Sequence, residues 1–261
     1  MTTTIMIGSA KGGVGKSTTA TSQAMILANK GHNVLLIDFD AQANSTTYCG
    51  VQQSHGLYNL LVKGAEFDQV AVEVDSARFG GNGKLWVVPT SDGSNYKIAE
   101  DIQDEMVVPD RFSELNDMGI DYCIVDTTPA TSKVHFGFMF AAQWIIIPSQ
   151  CQMWSIQGAK TTWRYVREVH KIAQEKRLNA AGIFGFLPTL FDQRKRIQKD
   201  AYELMQQQFG ALLLPPIHYA KEWEEAVPNK LSVVEYKSRS RAAREALALT
   251  DLVLAKQEVP L

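Results

Sequence analysis

Along the chain, short apolar runs alternate with segments whose apolar positions recur every three or four residues. Runs such as Val34-Leu35-Leu36-Ile37 and Tyr122-Cys123-Ile124-Val125 are continuously apolar, the mark of strands covered on both faces. The pattern predicts strands near Thr4–Ser9, Asn33–Ile37, Leu85–Val88, Tyr122–Val125, Trp144–Ile147, Ala181–Leu187 and Leu212–Leu214. Helices are predicted over Lys16–Lys30, Ile156–Gln174, Arg194–Phe209 and Arg239–Ala255. Such alternation belongs to α/β proteins, with a mostly parallel twisted sheet and helices on both faces. No internal repeat or low-complexity tract points to a solenoid or an array.

Composition narrows this picture. A chain of 261 residues, 45% hydrophobic and 21% charged, has ample core material, and no linker-like stretch divides it, so a single domain over 1–261 is expected. A net charge of −2 means that any affinity for nucleic acid must come from a local patch. The three cysteines, Cys49, Cys123 and Cys151, are scattered, which suits a reducing cytosol and argues against a disulfide framework or zinc site. Met1-Thr2-Thr3-Thr4 lacks the basic start of a secretory leader, so none is expected. The longest apolar stretch, Phe136–Ile147, is shorter than the ~20 residues a membrane span needs.

The chemistry concentrates near the start. Gly8-Ser9-Ala10-Lys11-Gly12-Gly13-Val14-Gly15-Lys16-Ser17-Thr18 follows a predicted strand and opens a predicted helix, the setting in which a G-x-x-x-x-G-K-[ST] pattern signifies a phosphate-binding loop. Glycines let successive N–H groups turn toward an anion, and the helix N-terminus adds partial positive charge. In this reading Lys16 lies against the terminal phosphates of a nucleotide and the Ser17 hydroxyl ligates Mg²⁺. Asp126 ends an apolar strand, so its carboxylate should emerge at the carboxyl edge of the sheet as the second Mg²⁺ residue. Asp38 and Asp40 end the strand Asn33–Ile37 with one residue between them. They read either as turn or helix caps or as catalytic carboxylates beside the phosphate site.

Lys11-Gly12-Gly13-Val14-Gly15-Lys16-Ser17-Thr18 resembles the deviant Walker A box of the ParA/MinD family of ATPases, with its second lysine at the start of the loop. Asp38-Phe39-Asp40-Ala41-Gln42-Ala43-Asn44 is similar to the family's D-x-D-P-Q-x-N segment, with Ala41 in place of proline. Asp126-Thr127-Thr128-Pro129-Ala130 is similar to its D-x-x-P segment. Further matches, including Ile146–Gln150, Pro188–Arg194, and Leu231–Tyr236 with Arg239–Ala243, follow the partition ATPases in order over nearly the whole chain. The resemblance implies ATP and Mg²⁺ as ligands, an ATP-dependent sandwich homodimer in which Lys11 reaches the partner's nucleotide, and a water-positioning role for Asp40. It also implies base contacts from Pro216 and Ile217.

Within that family, the partition branch binds DNA without sequence preference and answers to a ParB-like or adaptor protein that stimulates hydrolysis, so a cytoplasmic, nucleoid-associated protein is implied. Two basic clusters are candidates for DNA: Arg194, Lys195, Arg196 and Lys199, and Lys237, Arg239, Arg241 and Arg244. Each also fits a merely solvated helix face. Ile217-His218-Tyr219-Ala220-Lys221 stands where many relatives carry arginines used on DNA. A membrane-cycling, MinD-like role would need a basic amphipathic C-terminal helix, and the tail Thr250–Leu261 is as acidic as it is basic. An iron–sulfur role would need a cysteine between Asp126 and Gln150, and none is there. A metabolic or metal-maturation ATPase on the same scaffold remains the alternative.

Overall fold

The computed structural model describes residues 1–129 and 131–257. Ala130 of the Asp126–Ala130 segment and the tail residues Glu258, Val259, Pro260 and Leu261 lie outside the described residues. Seven strands, β1 (Thr3–Ile7), β2 (Asn33–Phe39), β3 (Val72–Glu73), β4 (Lys84–Val88), β5 (Tyr122–Thr127), β6 (Trp144–Gln150) and β7 (Gly182–Thr189), form one sheet in the order β3-β4-β2-β5-β1-β6-β7. All neighbours pair in parallel except β3, which runs antiparallel to β4.

The helices are α1 (Lys16–Asn29), α2 (Asn44–Tyr48), α3 (Gly56–Val62), α4 (Phe67–Val70), α5 (Ser94–Asp101) and α6 (Val107–Ser113), then α7 (Lys133–Ala141), α8 (Met153–Lys176), α9 (Arg196–Phe209), α10 (Lys221–Asn229), α11 (Val233–Tyr236) and α12 (Arg241–Gln257). Successive residues of each central strand serve opposite faces. Met6, Leu35, Ile37, Val125 and Ile145 join one core with α3 to α9, while Ile5, Ile7, Leu36, Ile124 and Ile146 join another with α1 and α12. Each fully buried aliphatic side chain contributes roughly 1.5–3 kcal/mol, so a strand buried on both faces is held far more firmly than a half-exposed one. A third, smaller cluster of Ile26, Trp223, Val233, Ala242 and Ala246 fastens α10 and α11 onto α1 and α12.

The parallel sheet and its flanking helices match the sequence expectation, and six of the seven predicted strands are present. The seventh is not: Gly210–Leu212 is a short 3-10 turn, and Leu213 makes only an isolated bridge to Phe186. Gly210 at the end of α9 takes a φ of 51°, a left-handed turn that sends the chain across the sheet edge before a ladder can grow. Because β1, β2, β5, β6 and β7 run in parallel, their carboxyl ends gather along one edge, and every residue that follows them arrives at one place.

Candidate functional site

At that edge, residues 8–15 turn the chain from β1 back into α1. Gly13 and Gly15 take φ values of 70° and 82°, a region that costs residues with a Cβ roughly 1–2 kcal/mol. Gly15 is the N-cap of α1, and no side chain caps that helix. Its first N–H groups are therefore left for an anion. The loop is pinned from three directions. The Gly8 N–H donates to the Ile146 carbonyl at 3.1 Å, Gln150 Nε2 at the end of β6 donates to the Gly13 carbonyl at 2.7 Å, and Thr189 Oγ1 at the end of β7 donates to the Val14 carbonyl at 2.8 Å. On α8, Thr162 Oγ1 accepts from the Ala10 N–H at 2.9 Å, and a Cβ on Gly158 would come within 2.9 Å of the Lys11 Cβ.

The two lysines of the loop differ sharply. Lys11 is exposed. Lys16 is only 5% exposed, and its Nζ donates to the Lys11 carbonyl at 3.3 Å. Burial lowers the Lys16 pKa, while Asp126 and then Asp40 raise it. Gly12 is exposed, Val14 is fully buried, and Ser17 and Thr18 are half-buried at the start of α1.

Asp38 and Asp126 are direct neighbours in the β2–β5 register, and Asp126 pairs with Ile7 on β1 just before the loop. Asp126 is fully buried. Its Oδ2 accepts from Ser45 Oγ at 2.8 Å, whereas its Oδ1 has no hydrogen-bond partner among the described residues. Burial and the neighbouring Asp38 push its pKa up to about 8, against the Ser17 and Ser45 hydroxyls, which favour the charged form. Burial likewise pushes Asp38 up to about 6, although its carboxylate accepts from the Thr46 N–H at 2.8 Å, the Thr46 hydroxyl at 2.7 Å and the Asp40 N–H at 3.1 Å. Asp38 thus ties α2 to the strand end. Asp40 accepts from the Gln42 N–H at 3.1 Å in a local turn, and Ala43 follows with a φ of 48°. Both aspartates therefore make the capping contacts open to them on sequence grounds, and Asp40 additionally borders the cavity described next.

A cavity of about 660 Å³ runs from this loop along α1, lined by Gly13, Gly15, Lys16, Ser17, Thr18, Asp40, Asn44, Thr189 and, further on, Ser22, Tyr48, Ile217, Trp223, Val227 and Leu249. Ile217 lines it; the half-buried Pro216 does not. The buried, unpartnered Asp126 oxygen beside the Ser17 hydroxyl is a pair of hard oxygen donors suited to Mg²⁺, an ion that needs few protein ligands when phosphates supply the rest. Among the described residues no cluster of three His, Cys, Asp or Glu side chains could hold a metal alone. Sequence reasoning missed His135, in the first turn of α7. It is buried, its Nδ1 is unpartnered among the described residues, and burial followed by the Lys16 cation pushes its pKa down to about 4, so it stands neutral there. Gln150, Thr162 and Thr189 were also missed as loop-holding residues: Gln150 and Thr189 lie in segments that resemble the family but carry no role there, and nothing in the local sequence marks Thr162.

The basic candidates lie on exposed loops and helix starts, Arg194, Lys195 and Arg196 on the segment that follows β7. Arg194 forms a two-bond fork with Asp192 at 2.8 and 2.9 Å, Lys237 meets Glu222 at 2.9 Å, and Arg241 meets Glu245 at 2.6 Å. Arg196, Lys199, Arg239 and Arg244 are exposed and form no ion pair among the described residues; Lys195 is exposed too, and its charge joins that of Arg194 in holding the Asp192 carboxyl below the usual range. His218, in the segment where relatives carry arginines, is buried and held by Glu245, its N–H and Nδ1 each 2.8 Å from a carboxylate oxygen. No helix among the described residues is long and apolar enough to cross a membrane.

The AAA domain family model matches residues 2–179. The chromosome-partitioning ATPase Soj of Thermus thermophilus is 30% identical over 207 residues, 79% of this chain and 76% of that protein. Among solved structures, an ATP complex of McdA from Cyanothece superposes with a TM-score of 0.82 at 21% identity, covering 97% of this chain and 96% of that one. A plasmid partition protein of Borrelia burgdorferi bound to AMPPNP gives a TM-score of 0.78 at 23% identity, covering 98% and 100%.

Proposed function

Since this chain belongs to the AAA domain family together with the ParA- and Soj-type partition ATPases, we propose that it is a Mg²⁺-dependent ATPase, one domain over residues 1–261, that switches between monomer and ATP-bound homodimer. The observation that carries this reading is the buried Lys16 lining the cavity, its charge favoured by Asp126, whose own buried oxygen has no hydrogen-bond partner among the described residues, with the first turn of α1 uncapped. In this reading the loop N–H groups of residues 12–18 and Lys16 hold the β- and γ-phosphates, and Ser17 and Asp126 hold Mg²⁺, which neutralises phosphate charge. Ile217 borders the base. Asp40 orients the water that attacks the terminal phosphorus, so that the bond to the ADP oxygen breaks and inorganic phosphate leaves. Asp38 positions α2 and Asp40 for that step.

In this reading Lys11, which is exposed, reaches out of its own loop and neutralises charge on a partner's nucleotide, as an arginine finger does. The ATP dimer then binds DNA non-specifically through its basic surface residues and positions a cargo in the cytoplasm on nucleoid DNA, with hydrolysis triggered by a ParB-like or adaptor protein. Light scattering on the purified chain tests the core of this reading. The mass should double with Mg²⁺-ATP and not with ADP, and Lys11→Ala should bind nucleotide as the parent does yet lose turnover. A chain that stays monomeric when loaded with ATP overturns it.

A further inference from the structure

Beyond the phosphate end, the cavity holds polar atoms that the fold leaves unused. Ser22 Oγ, the Tyr48 hydroxyl and the Trp223 indole N–H all belong to side chains lining it, all are buried, and none has a hydrogen-bond partner among the described residues. One orphaned buried donor is unfavourable by about 1–3 kcal/mol, and three around one cavity mark places where a ligand completes the bonding. Ser22 lies six residues beyond Lys16 on α1, about 9 Å along the helix axis at 1.5 Å per residue. That is the separation between the phosphates and the base of a nucleotide. Trp223 is 8% exposed, and its ring packs in the cluster of Ile26, Val233, Ala242 and Ala246, so the ring is held in place before any ligand arrives. Around it the cavity is apolar, with Ile217, Val227, Pro228 and Leu249, surfaces suited to the faces of an aromatic ring.

We propose that Trp223 is a specificity-determining residue of this cavity, its indole N–H donating to a ring nitrogen of a bound purine. An indole is donor only, so its partner on the base must be an unprotonated ring nitrogen or a carbonyl, and the exocyclic amine of adenine is excluded from that position. This inference rests on the nucleotide reading above but can fail separately from it.

Two measurements test it, both as displacement of a fluorescent ATP analogue. On the parent protein, ATP is compared with its 1-deaza, 3-deaza and 7-deaza forms, each replacing one ring nitrogen by C–H. One of them should bind roughly 3- to 10-fold more weakly, the scale of one net hydrogen bond. Equal binding of all three and ATP overturns the proposal. Trp223→Phe, which keeps an aromatic ring and deletes the N–H, should weaken ATP by the same factor and erase the difference between ATP and the sensitive deaza form, while inorganic triphosphate displaces the probe as well as it does from the parent. A variant that still distinguishes the deaza forms overturns it, because the donor must then lie elsewhere. If the parent binds neither ATP nor inorganic triphosphate, the nucleotide reading itself has failed.

Discussion

The carboxyl edge of the sheet and the basic outer surface treat charge in opposite ways. At the edge, Lys16, Asp38 and Asp126 are buried together and left only partly neutralised: one carboxylate oxygen has no partner among the described residues, and both acids have raised pKa values. At the surface, Arg194, Lys237 and Arg241 are exposed and matched to carboxylates of their own chain. Burying unmatched charge is costly, so a fold that does so is holding those groups ready for a ligand that repays it. Exposed ion pairs are worth little, ~0–1 kcal/mol, and their presence says equally little about a partner. The edge therefore singles out individual residues for test, while charge on the surface is informative only where it lacks a partner.

The sharpest way to break this comparison is at Asp40, which caps a turn and borders the cavity at once. If it only caps, Asp40→Ala lowers stability by ~1 kcal/mol and leaves chemistry alone. If it orients the attacking water, hydrolysis falls roughly 100- to 10,000-fold while ATP-dependent dimerisation persists. Steady-state phosphate release beside light scattering separates the two. Turnover at the parental rate removes Asp40 from the mechanism.

Asp126 sharpens it next. Its folded pKa of about 8 lies above the ordinary 3.8, so between those pH values the folded chain keeps a proton that the unfolded chain releases. This contribution to stability is fully present below about pH 4 and is lost as pH rises toward 8. Asp126→Asn, which cannot ionise, should melt several degrees higher than the unliganded parent at pH 8, with the gap closing toward pH 5, and should lose the Mg²⁺-dependent part of nucleotide stabilisation. Differential scanning fluorimetry across pH reads both. A variant that melts below the parent at pH 8 shows that Asp126 is structurally satisfied without its ligand.

The same contrast explains what could be read from the amino-acid sequence. Gly13, Gly15, Lys16 and Asp126 were legible because local rules dictate them: left-handed turns need glycine, and a strand end must deliver its next residue to the sheet edge. Gln150, Thr162, Thr189 and His135 were not, because each reaches the loop only after β6, β7, α7 and α8 have packed beside β1. The short helices α2 to α7 were missed for a related reason, since elements of four to nine residues take their stability from the sheet more than from their own periodicity. The expected strand at Leu212–Leu214 failed because an apolar triplet has no period to read, and Gly210 redirects the chain just before it.

The smallest expected effects lie on the basic surface, where paired and unpaired cations make an internal control. An arginine already forked to its own aspartate must give up those bonds before it can meet a phosphate, so Arg194→Ala, Lys237→Ala and Arg241→Ala should each change DNA affinity by less than about 3-fold. Joint replacement of Lys195, Arg196 and Lys199 by alanine, which removes exposed charge that no salt bridge among the described residues ties down, should weaken binding about 10-fold at low salt. It should also flatten the dependence of log affinity on log salt by up to ~0.9 for each DNA phosphate that the variant no longer neutralises. Fluorescence anisotropy of a labelled duplex with the Mg²⁺-ATP form, repeated at several salt concentrations, reads affinity and slope together. If the paired residues prove the more important, the intrachain bonds open on DNA, and the partnered surface is as poised for a ligand as the buried edge.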